Sequence, residues 1–126
     1  VKLYSYSRCS TCRKALAWLK QHGLQVEPID ITTAPPSAAE LESALNQLGR
    51  KRLLNTSGLS YRELGAATVK AMDDASLVAA LAADGRLIKR PFLIAEDGTC
   101  LTGFQPQDWQ KLLDSEHVQR DQDPLN

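Results

Sequence analysis

The chain has 126 residues, enough for one domain with a real hydrophobic core, and is 43% hydrophobic and 24% charged. Fifteen Lys and Arg residues cancel fifteen Asp and Glu residues, so no overall field points to nucleic acid or to an anionic membrane surface. No apolar run approaches the roughly 20 residues of a membrane-spanning helix, and the first residues, "VKLYSYSRC", lack a signal-peptide apolar region.

The expectation is therefore a cytoplasmic monomer with no membrane and no direct nucleic-acid partner. "VKLYSY" (residues 1–6) alternates apolar and polar residues and predicts a strand. Ser10 or Thr11 can cap the next helix, which runs to about Gln21. Cys12, Ala15, Leu16 and Leu19 share its buried stripe, and Gly23 is a natural stop. "LQVEPID" (residues 24–30) predicts a short second strand, with Pro28 favouring an edge or a strand end. Strand, helix, strand is the pattern of a parallel pair.

A helical stretch follows. Ser37 with Glu40 three residues on is a capping box, and that helix stops at Gly49. A turn is expected at Asn55–Gly58, and Ser60 with Glu63 suggests a second capping box. "DDASLVAALAADG" starts at acidic caps, buries Leu77, Val78 and Leu81, and ends at Gly85. These helices read as an insertion, about residues 35–86, because about fifty residues are marginal for an independent core.

In the last third, Phe92–Ala95 and Cys100–Thr102 are short strands joined by Asp97-Gly98, a strong hairpin signal. Pro106 opens a final helix with Trp109, Leu112 and Leu113 on its buried face. The domain is expected to span residues 1–114, with a polar, frayed tail over 115–126. The order β-α-β, helical insertion, β-β-α is that of an α/β thioredoxin-like fold.

Three cysteines are present: Cys9, Cys12 and Cys100. So few, and an odd number, argue against a secreted disulfide framework. Cys9 and Cys12 could be a catalytic thiol site, a metal half-site, a redox switch or two small core residues. Cys9 falls just ahead of the first helical turn, where unpaired N–H groups and the helix dipole favour negative charge. Arg8, Arg13 and Lys14 add positive charge. Both effects favour the thiolate, the reactive species. Cys12 lies one turn further in. A disulfide between the two closes so short a loop that its value lies in being made and broken. Cys9 is thus the expected nucleophile and Cys12 the expected resolving thiol. A zinc site wants four ligands, and Cys100, His22 and His117 lack the usual spacing; no metal is expected. Cys100 is best read as a small buried apolar residue. Arg90-Pro91 begins the third strand, beside the active-site helix in such a fold. Arg90 could there stabilise a thiolate or an anionic substrate, or it could be one solvated residue of "RLIKRP".

"LYSYSRCSTCRKALAWL", "LLNTSGLSYREL", "LIKRPFLI" and "LTGF", in this order, resemble the arsenate reductase (ArsC)/Spx family of thioredoxin-fold proteins over about residues 1–114. The Cys-x-x-Cys form is closer to the Spx-like members. The resemblance implies a four-stranded mixed sheet flanked by helices, an all-helical insertion between the second and third strands, and a cis peptide at Arg90–Pro91. It implies Cys9 as nucleophile, with Arg13 and Arg90 as positive positions around it and Ser10, Thr11 and Pro91 completing the site. No tightly bound cofactor is implied; glutathione, glutaredoxin or thioredoxin would serve as reductant. The chain departs from arsenate reductases at Cys12, where they have serine, at Ser5, where they have histidine, and at Asn55 and Gly103, where they have arginine. An oxyanion wants several fork-shaped donors, and losing two costs charge-assisted hydrogen bonds of roughly 1.5–3 kcal/mol each. Members of the Spx side bind the RNA polymerase α subunit and respond to oxidation of the pair. Three functions follow as expectations: thiol–disulfide oxidoreductase first, then redox-sensing regulator, then arsenate reductase.

Overall fold

Strand alternation in the first six residues already sorts the molecule into two layers. In the computed structural model, which describes the backbone of residues 1–121 and the side chains of residues 1–115, β1 (Lys2–Ser5) sends Leu3 to one face and Tyr4 to the other. Around it lie α1 (Ser10–Gln21), β2 (Pro28–Asp30), α2 (Ala38–Leu53), α3 (Leu59–Leu64), α4 (Ala66–Ala71) and α5 (Asp74–Ala83). A 3-10 turn (Gly85–Leu87), β3 (Phe92–Ile94), β4 (Cys100–Thr102) and α6 (Pro106–Asp121) complete the order. The sheet order is β2-β1-β3-β4. β1 and β2 are parallel, with Ser5 opposite Asp30, and β1–β3 and β3–β4 are antiparallel. This is the expected thioredoxin-like mixed sheet with a helical insertion between β2 and β3.

Each sheet face has its own core. Leu3 and Leu93 pack with Ala15 and Leu19 of α1 and Trp109 and Leu112 of α6. Trp109 is 1% exposed and meets Phe104 and Trp18 edge-on, at 5.1 and 6.2 Å between ring centroids. On the other face Tyr4, Phe92 and Cys100 pack against Leu41, Leu45, Leu77 and Leu81 of the insertion.

Several boundaries differ from expectation, for local reasons. The second strand is only Pro28–Asp30, since Leu24 and Val26 pack into the α1/α6 core instead of joining the sheet. Gly49 does break the helix, with φ +77°, but the chain resumes helical turns to Leu53. Arg50 then ties this segment to the end of α4, donating at 2.8 Å to both the Met72 carbonyl and Asp74. The Ser60–Glu63 box is absent: Gly58 is the N-cap of α3 and Ser60 is buried inside it. Asp84, not Gly85, ends α5. Gly85 is required by close approach, since a Cβ there would lie 1.9 Å from the Ile31 carbonyl oxygen. The last helix continues through Ser115 to Asp121, where a frayed tail was expected. Residues 122–126 of that tail lie outside the described residues.

Candidate functional site

β1 ends at Ser5, and the chain turns back at Cys9, whose N–H donates to the Tyr6 carbonyl at 3.0 Å. That turn makes Cys9 itself the N-cap of α1, in extended conformation (φ −91°, ψ 112°). Ser10 and Thr11, the expected caps, fall inside the first turn and are exposed. Cys9 Sγ replaces the usual capping oxygen and accepts the Cys12 N–H at 3.2 Å. No acidic residue occupies the first turn. A half-exposed sulfur thus sits at the positive end of a twelve-residue helix with no carboxylate competing for it.

Cys12 stands in the opposite environment. It is 0% exposed. Burial pushes its thiol up to about 11, the adjacent Cys9 sulfur adds to this, and hydrogen bonds from the Tyr6 backbone and the Ser5 side chain oppose it. One thiol is therefore reachable from solvent and the other is held protonated in the interior, one helical turn away. The difference comes from helix geometry: Cys12 shares the stripe of Ala15 and Leu19, all buried, whereas the cap lies outside the stripe.

The cations are placed less directly. Arg13 folds back and donates from Nη1 to the Ser7 carbonyl at 2.8 Å, tying the loop to the helix. Arg90 is half-buried, with its guanidinium carbon 4.9 Å from the Tyr6 ring centroid, a cation–π contact. Its link to Cys9 runs through Tyr6, whose carbonyl holds the Cys9 N–H. Pro91 is buried after a cis peptide bond, and its carbonyl accepts the Gly103 N–H at 2.9 Å.

Neither Asn55 nor Gly103 supplies a guanidinium. The Asn55 amide donates to the Arg86 carbonyl at 3.3 Å, and Gly103 holds φ +69°. Arg86, a further cation in this region, is paired with Asp84 at 3.0 Å. It borders a cavity of about 490 Å³ that Tyr6 and Thr32 also line. Beside it, a second cavity of about 350 Å³ is lined by Ser5, Tyr6, Ser7, Arg13 and Pro28, among others. Cys100 lies apart, buried in the insertion-side core, with its N–H donated to Gln47 at 2.8 Å. Among the described residues, no group of three or more His, Cys, Asp or Glu side chains is arranged to hold a metal, and no helix is long and apolar enough to cross a membrane.

Tyr6 is the site member that the motifs did not single out, and Ser5 entered only as the place where arsenate reductases have histidine. Alternation carried the signal for Ser5: it shares the Leu3 face, which is the α1 face.

The ArsC family profile matches residues 4–112. The chain is 39% identical to YusI of Bacillus subtilis over 112 residues, covering 86% of this chain and 93% of that protein. It is 26% identical to the global transcriptional regulator Spx of Streptococcus agalactiae, covering 88% and 87% of the two chains. The solved arsenate reductase of Vibrio cholerae is 28% identical and superposes with a TM-score of 0.74, covering 88% of this chain and 95% of that one.

Proposed function

The chain belongs to the ArsC family, and from that premise we propose that it is a thiol–disulfide redox protein. Cys9 attacks a disulfide or a glutathionylated substrate, and Cys12 then displaces the product and closes an internal disulfide. The observation that carries this reading is the Cys9 sulfur as N-cap, accepting the N–H of the buried Cys12 at 3.2 Å. The cap position exposes one sulfur to substrate, and the helical spacing keeps the second within one turn of it. The electrons come from the dithiol, so no metal or bound organic cofactor takes part. Glutathione, glutaredoxin or thioredoxin returns the pair to the dithiol, and Arg13 and Arg90 support negative charge around the loop.

Mild oxidation followed by peptide mapping tests the premise. A Cys9–Cys12 disulfide is the expected product; oxidation that leaves these two cysteines unlinked overturns the two-thiol mechanism.

A second reading is a redox-responsive regulator that binds the RNA polymerase α subunit. The likeness to Spx favours it, as does the Cys-x-x-Cys form. Capture of the α subunit that changes when the pair is oxidised is its expected signature. Arsenate reduction is the third reading, favoured by the likeness to arsenate reductases. The absence of guanidinium groups at Asn55 and Gly103 weighs against it, because an oxyanion loses two charge-assisted donors.

A further inference from the structure

Cations in this molecule are held in two ways. Lys2, Arg50 and Arg86 each meet a carboxylate, of Glu40, Asp74 and Asp84, at 3.0, 2.8 and 3.0 Å. Two arginines at the Cys9 loop are held by neutral groups instead. Arg13 donates to the Ser7 carbonyl at 2.8 Å, and the Arg90 guanidinium carbon lies 4.9 Å from the Tyr6 ring centroid. Among the described residues, no carboxylate forms an ion pair with Arg90. A carboxylate fixes a cation and cancels most of its field. An aromatic face fixes it and leaves the charge uncancelled.

The sheet explains why Tyr6 is the partner. β1 and β3 are antiparallel, with Lys2 opposite Ile94 and Tyr4 opposite Phe92. The same register continued past Tyr4 sets Tyr6 opposite Arg90, on the face where the Tyr4 and Phe92 rings meet at 5.7 Å. The cation–π contact thus extends a cross-strand pair beyond the last paired residues. Tyr6 is also the first residue of the turn that carries Cys9, since its carbonyl accepts the Cys9 N–H at 3.0 Å. One residue therefore joins the Cys9 turn, through its backbone, to the Arg90 charge, through its ring. Tyr6 is half-buried and lines both cavities beside the loop, of about 350 and 490 Å³. A substrate in either space lies against the residue that carries Arg90.

We infer that Tyr6 is the positioning residue for Arg90: its ring holds the guanidinium beside the Cys9 turn with its charge intact, and the pair selects disulfides that carry negative charge next to the sulfur. This rests on the reading of Cys9 as the attacking thiol. The step concerned is the first exchange. The Cys9 thiolate forms a bond to one substrate sulfur, the substrate S–S bond breaks, and the other sulfur leaves as a thiolate with the electron pair. Half of the substrate stays on Cys9 as a mixed disulfide, and no further reagent is consumed. An anionic substituent is drawn to Arg90 as it approaches the turn, whereas a neutral disulfide gains nothing from the guanidinium.

Two chromogenic disulfides test this on the full chain: an aryl disulfide bearing a carboxylate on each ring, and a neutral dipyridyl disulfide. The quantity read is the ratio of their second-order rates for release of the first coloured equivalent. Comparing that ratio between variants cancels the reagents' own reactivities. Tyr6→Leu should lower the anionic-to-neutral ratio roughly 3- to 10-fold, and Arg90→Met by the same factor. Tyr6→Phe keeps the ring face and should keep the parent ratio. In the double variant Tyr6→Leu/Arg90→Met the ratio should fall no further than in either single variant, since both remove one interaction. The parent's preference should also fade in high salt. An unchanged ratio in Tyr6→Leu overturns the inference, even where both rates fall together, since that assigns Tyr6 a merely structural role. So does a double variant in which the effects add, or a Tyr6→Phe chain whose ratio is as low as that of Tyr6→Leu. Failure of the dithiol reading gives a different signal, a parent chain that releases one equivalent where two are expected. A Cys9 that reacts with neither disulfide overturns both.

Discussion

Two helices in this molecule begin with the same spacing and opposite purposes. In α2, Ser37 Oγ accepts the Glu40 N–H at 3.2 Å, and Glu40 reaches back to the Ser37 N–H at 3.0 Å. In α1, Cys9 Sγ accepts the Cys12 N–H, also at 3.2 Å. Ser-x-x-Glu and Cys-x-x-Cys are thus the same N-cap-to-N3 bond made with different atoms. They differ at the return contact. Glu40 completes its box and is further held by the Lys2 ammonium and the Tyr4 hydroxyl, each at 3.0 Å. The Cys9 N–H goes instead to the Tyr6 carbonyl, which leaves the Cys12 side chain free to turn into the core. One helix start is closed by a carboxylate, and its oxygen and charge stabilise the dipole. The other has no carboxylate in its first turn and places a half-exposed sulfur on the dipole.

This contrast can be broken at several points. The largest effect is expected from Cys9→Ser. Disulfide exchange should disappear, while the thermal midpoint stays equal or rises, because serine is a strong N-cap; thiol assays and a circular-dichroism melt read both. A marked fall in the midpoint would mean that the sulfur is there for stability. Next comes Cys12→Glu, which writes the α2 pattern into α1. Position 12 is fully buried, so an unpaired carboxylate there should cost at least about 3 kcal/mol in urea unfolding. Near-unchanged stability would show that the two N3 positions are equivalent after all.

Ser37→Ala should cost about 1 kcal/mol and leave the alkylation rate of Cys9 untouched; a changed rate would couple the two helix starts. The smallest effect concerns pH. Although burial pushes the Glu40 carboxyl up, the Ser37 N–H, the Lys2 ammonium and the Tyr4 hydroxyl outweigh it and hold the carboxyl below its ordinary value of 4.5. The unfolded chain then binds the proton more readily. Glu40 therefore contributes stability above about pH 4.5 that is lost as pH falls through its folded value. In Glu40→Gln the acid limb of the stability profile should flatten. An acid limb as steep as that of the parent would remove Glu40 from the account.

Much of this was readable before any coordinates. The Ser37–Glu40 box, the Asp97-Gly98 hairpin and the stripe of Cys12, Ala15 and Leu19 are local patterns whose physics lies within a few residues. Two misplaced features depended on neighbours distant in sequence, and a third on the turn just before the helix. Gly85 resembled a helix stop, but its purpose is the approach of the Ile31 carbonyl. Leu24 and Val26 have strand-like alternation, yet the α1/α6 core claims them. Ser10 and Thr11 are good caps by type, but the turn closed by the Tyr6 carbonyl starts the helix one residue earlier, at a cysteine.

By itself, then, the sequence determined the element order, the two buried faces and the presence of a helix-terminal dithiol, because hydrophobic period and capping chemistry act locally. The tertiary structure alone decided that Cys12 is wholly buried beneath the cap and that Arg90 reaches the loop through the Tyr6 ring. Those are contacts between β1, α1 and the start of β3, and no spacing along the chain encodes how closely separate elements pack.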